Sequence, residues 1–322
     1  MVRLGNAAVV AMNDPFRVIA RYGSEVDIAR PGEPVLRAHL RRRNDDVVCG
    51  DLVFLENGKA AVARRAERGN RLVRRDGAHR VKTIAANIDR AWIVVAPRPE
   101  TPRLLIDRFL VGILNLPARA GILINKSDLV TSAEGGHGTL AADDYRSLDI
   151  PILSVSAHTE VGLDLLRAAA RGASNILVGP SGAGKSSLVQ ALLPRETLRV
   201  GALGDTGEGR HTTTTARWYE TGDGAAWIDS PGVRDFSPEI RSTDDLARGF
   251  PDIAEIAQHC RFRNCTHRAE PDCAVRTAAD EGRIMAGRMA AWLELFSGME
   301  AGSTSDRHSP LERKGHARDS ET

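Results

Sequence analysis

The sequence predicts a multidomain protein: an N-terminal β-barrel, a central α/β domain on a mainly parallel sheet, and a small helical C-terminal domain. Three observations predict it. Short apolar runs separated by turn signals fill the first 87 residues. Five near-continuous apolar runs then alternate with helical stretches, and one of them leads into a glycine-rich loop. Three cysteines and a histidine fall within 14 residues near the C-terminus. At 322 residues and 42% hydrophobic content the chain is long enough for several cores.

Residues 1–87 read as β-rich. Ala7 to Val10, Val35 to Leu40, Val47 to Cys49 and Leu52 to Leu55 are strand-like, and Asn13-Asp14-Pro15, Arg30-Pro31-Gly32, Gly50-Asp51 and Asn57-Gly58 are turn signals. Asn57-Gly58 between two such runs predicts a hairpin. A five-stranded barrel of the oligonucleotide-binding (OB) type fits this length. Net charge is only +2, yet residues 59–82 hold nine Lys/Arg against two acids. Such a patch suits phosphate backbones, or it is a solvated face. No aromatic residue lies within it, so base stacking is not supported there. Cys49 reads as a core thiol.

Residues 88–237 form the α/β domain. Its runs are Ala91 to Ala96, Gly121 to Ile124, Ile150 to Ser154, Asn175 to Val178 and Ala225 to Ile228, with crossover helices over 103–113 and 161–171. His137 sits in the glycine-rich loop 134–138, as a loop residue rather than a ligand. The fourth run enters Gly179-Pro180-Ser181-Gly182-Ala183-Gly184-Lys185-Ser186-Ser187, and a helix-forming run follows. Strand, glycine loop and helix is what a phosphate-binding loop needs: curled backbone N–H groups and a helix N-terminus face phosphate oxygens. Lys185 would reach the β- and γ-phosphates, and the Ser186 hydroxyl would bind Mg²⁺.

Asn125-Lys126-Ser127-Asp128 ends the second run. A carboxylate at Asp128 accepts from N1–H and the exocyclic amine of guanine, a donor pair that adenine lacks. Asn125 and Lys126 would brace that loop. Ser156-Ala157 after the third run would lend a backbone N–H to the base oxygen. Asp229-Ser230-Pro231-Gly232 after the fifth puts Asp229 near Mg²⁺ and the Gly232 N–H near the γ-phosphate. Within Gly209 to Thr215, one of four threonines could close on Mg²⁺; Thr213 is carried as the candidate. Conventional GTPases run phosphate loop, switch threonine, D-x-x-G, N-K-x-D and Ser-Ala. Here N-K-x-D and Ser-Ala come first, so the domain is circularly permuted. The switch segments then lead directly into the C-terminal segment, which is expected to feel the nucleotide state.

Residues 238–296 carry Cys260, Cys265, His267 and Cys273, the ligand set of a closed structural zinc site, one ion per chain. Helices are expected over 245–259 and 278–296. Residues 297–322 read as a disordered tail. No run is long enough for a membrane span, no signal-peptide pattern opens the chain, and the clustered cysteines suit a reducing cytoplasm.

N-K-S-D at 125–128, G-P-S-G-A-G-K-S-S at 179–187, G-R-H-T-T-T at 209–214, D-S-P-G-V-R-D-F at 229–236 and C-x₄-C-x-H-x₅-C at 260–273 together resemble one family. It is that of the circularly permuted, ribosome small-subunit-dependent GTPases (RsgA, also called YjeQ). The resemblance covers about residues 1 to 295. It implies an OB-type barrel, a permuted GTPase domain and a zinc domain. It further implies a cytoplasmic, monomeric factor that binds the 30S subunit and its 16S rRNA, aids late maturation, and hydrolyses GTP to GDP faster when ribosome-bound. Val233 stands where many GTPases place a water-orienting glutamine, so slow intrinsic hydrolysis is expected, with His211 a candidate to take part. Two other readings remain: a nucleotide-gated adaptor for a non-ribosomal partner, and an ATPase with a coincidental N-K-S-D.

Overall fold

The computed structural model describes residues 14–75, 81–130, 142–193, 216–230 and 240–305. Expectations on Ala7 to Val10, His137, His211, Thr212 to Thr215, Gly232 and Val233 lie outside these residues.

Five strands open the described chain: β1 (Phe16–Tyr22), β2 (Glu25–Ala29), β3 (Leu36–His39), β4 (Leu52–Leu55) and β5 (Val62–Arg65). β1 and β2 are not among the expected runs, because charged residues interrupt their apolar positions. Phe16, Val18 and Ala20 alternate with Arg17, Ile19 and Arg21, and only the first set is buried. Val47 to Cys49, expected as a strand, is irregular and runs into a turn at Cys49-Gly50. The buried Asp51 carboxylate accepts the Val48 N–H at 2.8 Å and two bonds from Arg68 at 2.7 Å, and the Cys49 carbonyl accepts the Ala86 N–H at 3.1 Å, which ties that segment down without a ladder of its own. β1 pairs with β2 and β4, β2 with β3, and β4 with β5 across the Asn57-Gly58 turn, where Gly58 has φ +69°. A single bridge from His39 to Ala61 joins the β3 end to the β5 side. The circuit of pairings therefore closes around Phe16, Val18, Val26, Ile28, Ala38, Val53 and Val62. A separate hairpin follows, β6 (Arg71–Arg75) with β7 (Val81–Ala86).

The central sheet uses β8 (Arg90–Val95), β9 (Arg119–Ile124), β10 (Ile152–Ser154), β11 (Ser174–Val178), β12 (Arg217–Glu220) and β13 (Ala226–Asp229), in the order β10-β9-β8-β11-β13-β12. All neighbours are parallel except β12, which runs antiparallel to β13. All five apolar runs are strands. Both faces are covered, which is why the runs are continuous rather than alternating. Ala91, Ile93 and Val95 of β8 face a core shared with α1 (Arg103–Leu114), while Trp92 and Val94 face one shared with α2 (Leu163–Ala170) and α3 (Lys185–Leu192). β12 also pairs with β1, Arg217 opposite Ala20, so the N-terminal strands and the central sheet are one hydrogen-bonded array.

Among the described residues the C-terminal part has four helices: α4 (Thr243–Gly249), α5 (Pro251–Ala257), α6 (Ala274–Asp280) and α7 (Ala286–Ser305). The helix expected over 245–259 is two. Pro251 cannot donate to the preceding turn, so it opens a new helix at its first position. The helix expected over 278–296 is also two, and α7 runs on to Ser305, into the expected tail.

α1 belongs to two cores at once. Ile106, Phe109 and Ile113 face the sheet, while Val111 packs with Leu246, Phe250 and Trp292. α4 crosses α1 so closely that a Cβ on Gly249 would lie 2.6 Å from the Val111 Cα. Arg288 of α7 is buried to 1% exposure between Asp107 of α1 and Asp252 of α5, at 2.5 Å from each. Tyr145 donates to the other Asp107 oxygen at 3.1 Å. Burial pushes the Asp107 carboxyl up to about 6, against the pull of Arg288 and Tyr145. Removing that cation strands two carboxylates. Arg288→Ala is therefore expected to destabilise the protein by about 3–5 kcal/mol, measured by denaturant unfolding; a loss under about 1 kcal/mol would contradict this role.

Candidate nucleotide and metal sites

β11 is buried throughout and delivers the chain to Gly179 at the C-terminal edge of the sheet. Gly179 has φ +142°, and a Cβ there would strike the Val94 carbonyl. Gly184 has φ +88°, and a Cβ there would strike the Asn125 amide. Neither position admits a side chain. α3 begins at Lys185, whose Nζ donates to the carbonyls of Gly179 and Pro180, both at 2.7 Å. The ammonium thus arches back over the loop that precedes it, where it could neutralise an anion lying in the cradle. Pro180 is half-buried and Ala183 buried, while Ser181, Gly182, Ser186 and Ser187 are exposed.

Asn125 follows β9 and is buried to 1% exposure. Its Nδ2 donates to the Ala183 carbonyl at 2.8 Å, and its Oδ1 accepts the Ala157 N–H at 3.3 Å. One side chain therefore clamps the glycine loop to the loop after β10. Lys126 takes a left-handed backbone, φ +60°, and its Nζ donates to the Arg98 carbonyl at 2.9 Å. Ser127 donates its N–H to the Val155 carbonyl, and a short 3₁₀ turn from Ser127 to Leu129 presents Asp128 to solvent. The buried Ser156 donates its hydroxyl to Asp128 Oδ1 at 2.5 Å and accepts the His158 and Thr159 N–H groups. That bond holds the Asp128 carboxyl below its ordinary range, so the group is ionised and aimed. Asp229 ends β13 beside β11, on the same sheet edge as the glycine loop, with Ser230 buried behind it. The site brings together the 179–187 loop, Asn125 to Asp128 and Ser156-Ala157 from three separate stretches. His211, Thr213 and Gly232 lie outside the described residues.

No motif flags Arg98 and Pro99. Yet a Cβ on Gly182 would sit 3.3 Å from Pro99 Cγ, and the Arg98 carbonyl holds Lys126. The Ala-Pro-Arg-Pro stretch at the end of the first apolar run is the one hint that the chain turns sharply there.

The second cluster gathers Cys260, Cys265, His267 and Cys273, whose ligand atoms all lie within 4.8 Å of one another. His267 Nδ1 is 3.7 Å from Cys260 Sγ and 3.4 Å from Cys273 Sγ, and those sulfurs are 3.9 Å apart. A tetrahedron with bonds of about 2.3 Å to sulfur has edges of roughly 3.8 Å. Donor set and spacing fit a metal ion, taken by the imidazole through Nδ1. Burial pushes the Cys265 thiol up to about 12, so a cation would be needed to draw out the thiolate. The Cys273 sulfur accepts the Arg276 N–H at the start of α6. Glu270 shapes the loop between the ligands. It accepts from the Thr266 N–H at 2.7 Å, the Thr266 hydroxyl at 2.6 Å, and the Arg268 and Ala269 N–H groups at 3.0 and 3.2 Å. This bracing lets His267 keep its left-handed backbone, φ +61°. Glu270→Ala is expected to weaken metal binding by about 10–100-fold, read by chelator competition; unchanged affinity would show the loop to be self-supporting.

Sheet order, glycine loop and the displaced N-K-x-D segment define a P-loop GTPase with circularly permuted connectivity. The RsgA GTPase family model matches residues 65–239. Small ribosomal subunit biogenesis GTPase RsgA of Pseudomonas aeruginosa PAO1 is 42% identical over 289 residues, 88% of this chain and 85% of the relative. The protein of the same name from Azotobacter vinelandii is 42% identical over 292 residues, 88% and 84% of the two chains. Among solved structures, YjeQ from Thermotoga maritima superposes with a TM-score of 0.70 at 26% identity, covering 89% of this chain and 98% of that one. YloQ, a circularly permuted GTPase, gives 0.67 at 23% identity over 95% and 100%, a likeness of fold. The chain belongs to the RsgA GTPase family, and it is a GTP hydrolase.

Proposed function

We propose that this GTPase binds the small (30S) ribosomal subunit, contacts its 16S rRNA, and assists late maturation of the particle. GTP would favour binding, and hydrolysis to GDP would favour release. The observation that carries this reading is the Asn125 clamp: a permuted chain still brings a base-reading loop against a phosphate loop. The names of the relatives from Pseudomonas aeruginosa and Azotobacter vinelandii supply the ribosomal direction.

In this reading Asp128 accepts from guanine, and the Ala157 N–H faces its oxygen. The 179–187 loop wraps the phosphates, with Lys185 on the β- and γ-phosphates. Ser186 and Asp229 serve Mg²⁺, with Thr213 and Gly232 closing from the switch segments. Zinc occupies the four-ligand cluster, one ion per chain, and holds the C-terminal domain in shape. The closed strand circuit of the N-terminal part supports an OB-type barrel over residues 1–87, followed by a GTPase domain over 88–237 and a zinc domain over 238–296. Arg71 and Arg74 share β6 and would offer guanidinium groups to RNA phosphates. In this reading the protein acts in the cytoplasm as a monomer, where its ribosomal partner is.

Asp128→Asn tests the base. It is expected to lower GTP affinity by more than about 100-fold and raise that for xanthosine triphosphate, measured by competition binding; an unchanged preference removes Asp128 from base reading. Val233 leaves the attacking water without a hydrogen-bonding side chain at that position, so turnover alone is slow. Adding 30S subunits at matched salt is expected to accelerate hydrolysis by about 10³-fold or more. Equal rates with and without 30S, and no co-sedimentation, would sink the ribosomal reading.

A further inference from the structure

One unbroken series of contacts joins the two sites. At the nucleotide end, the Arg98–Thr101 segment meets both loops: Pro99 packs on Gly182, and the Arg98 carbonyl holds Lys126 at 2.9 Å. Thr101 is buried to 2% exposure, and its hydroxyl accepts the Ala96 N–H at 3.3 Å, which fixes this segment to the end of β8. α1 starts two residues later. Its Asp107 carboxylate meets Arg288 of α7 in the buried ion pair. One turn along α7, Trp292 lies with its ring centre 5.5 Å from that of His267, a residue of the metal cluster. Sideways slip is blocked. Gly249 brings α4 into backbone contact with α1, Asn115 donates to the Asp245 carbonyl at 2.7 Å, and Arg248 donates back to Asn115 at 2.5 Å. α1 therefore cannot shift under a reordered glycine loop without carrying the metal-binding part along or breaking buried contacts.

We propose that Asp107 and Arg288 are positioning residues that couple the nucleotide loops to the Cys260, Cys265, His267 and Cys273 cluster through α1, so that a bound nucleotide and a bound metal ion tighten each other. The inference rests on the reading of the 179–187 and 125–128 loops as a GTP/GDP site. A filled site orders Gly182 and Lys126, these hold the start of α1, and the buried pair passes that order to α7 and His267. Coupling of this kind is reciprocal: the factor by which nucleotide raises metal affinity is the factor by which metal raises nucleotide affinity.

The experiment uses the full chain. GDP affinity is measured first on the zinc-loaded protein; no GDP binding would refute the nucleotide reading itself. Zinc affinity is then titrated against a chromophoric chelator, with Mg²⁺ present and with or without saturating GDP. GDP is expected to tighten zinc by about fivefold or more, and zinc loading to tighten GDP by the same factor. GDP that binds yet leaves zinc affinity unchanged overturns the proposal. Asp107→Asn keeps the shape and removes the charge, and it is expected to bring the factor close to one while GDP still binds. A factor that survives in this variant overturns the route through the pair. If Asp107→Asn does not fold, Pro99→Ala weakens the same series at its other end, removing the approach to Gly182 while the Arg98–Lys126 bond stays, and must lower the factor; a factor unchanged there also overturns the route.

Discussion

The buried amide of Asn125 is the constraint on which the nucleotide side of the molecule depends. Its donor and acceptor reach two loops 58 and 32 residues away along the chain, Ala183 and Ala157. Breaking either bond would leave a polar group in a site that water does not reach, at a cost of about 1–3 kcal/mol. Gly184 makes room for that amide, and the left-handed backbone of Lys126 directly after it turns Asp128 outward. Permutation changes the order in which these stretches are threaded. It does not change which strand ends meet, because the parallel strands β8, β9, β10, β11 and β13 all bring their C-terminal ends to one edge regardless of connection.

Rewiring moves the joints to other places. The sheet is continuous with the N-terminal strands through β12, and α1 serves as inner wall for one core and outer wall for the next. Arg288 gives the C-terminal joint its specificity. An apolar residue of similar volume could fill the gap but would leave the carboxylates of Asp107 and Asp252 without the cation that pairs both of them to α7. Glu270 plays a similar part in the loop between Cys265 and Cys273, where four donors converge on one carboxylate.

Much of this was legible in the sequence, for reasons that differ between regions. The five apolar strands of the central sheet are buried on both faces, so their runs are unbroken and easily seen. The glycine loop, Asn125 to Asp128 and the Cys260 to Cys273 spacing were legible because their backbones tolerate few residue types. β1 and β2 were not, since Arg17, Arg21, Glu25 and Asp27 sit at their outward positions and only alternation marks the strands. Val47 to Cys49 imitated a strand because Val47 and Cys49 are buried in two different cores made by distant residues, which no local pattern reveals. The breaks at Pro251 and near Arg283 were present as helix-stopping residues inside otherwise helical stretches. Arg288 and Trp292 carried no signal, and Pro99 only that of a turn, because their importance lies in partners from other stretches of the chain.

The Ala20–Arg217 pairing bears on how the protein can be cut apart. β12 is the last strand of the central sheet, and β1 lies against its outer side. A fragment that begins after the N-terminal strands would bare that side as a row of open amides and carbonyls, the template on which chains stack edge to edge. Those strands thus serve as a cover for their neighbour, and an excised nucleotide-binding fragment would need a charged or proline-bearing substitute along β12 to stay dispersed.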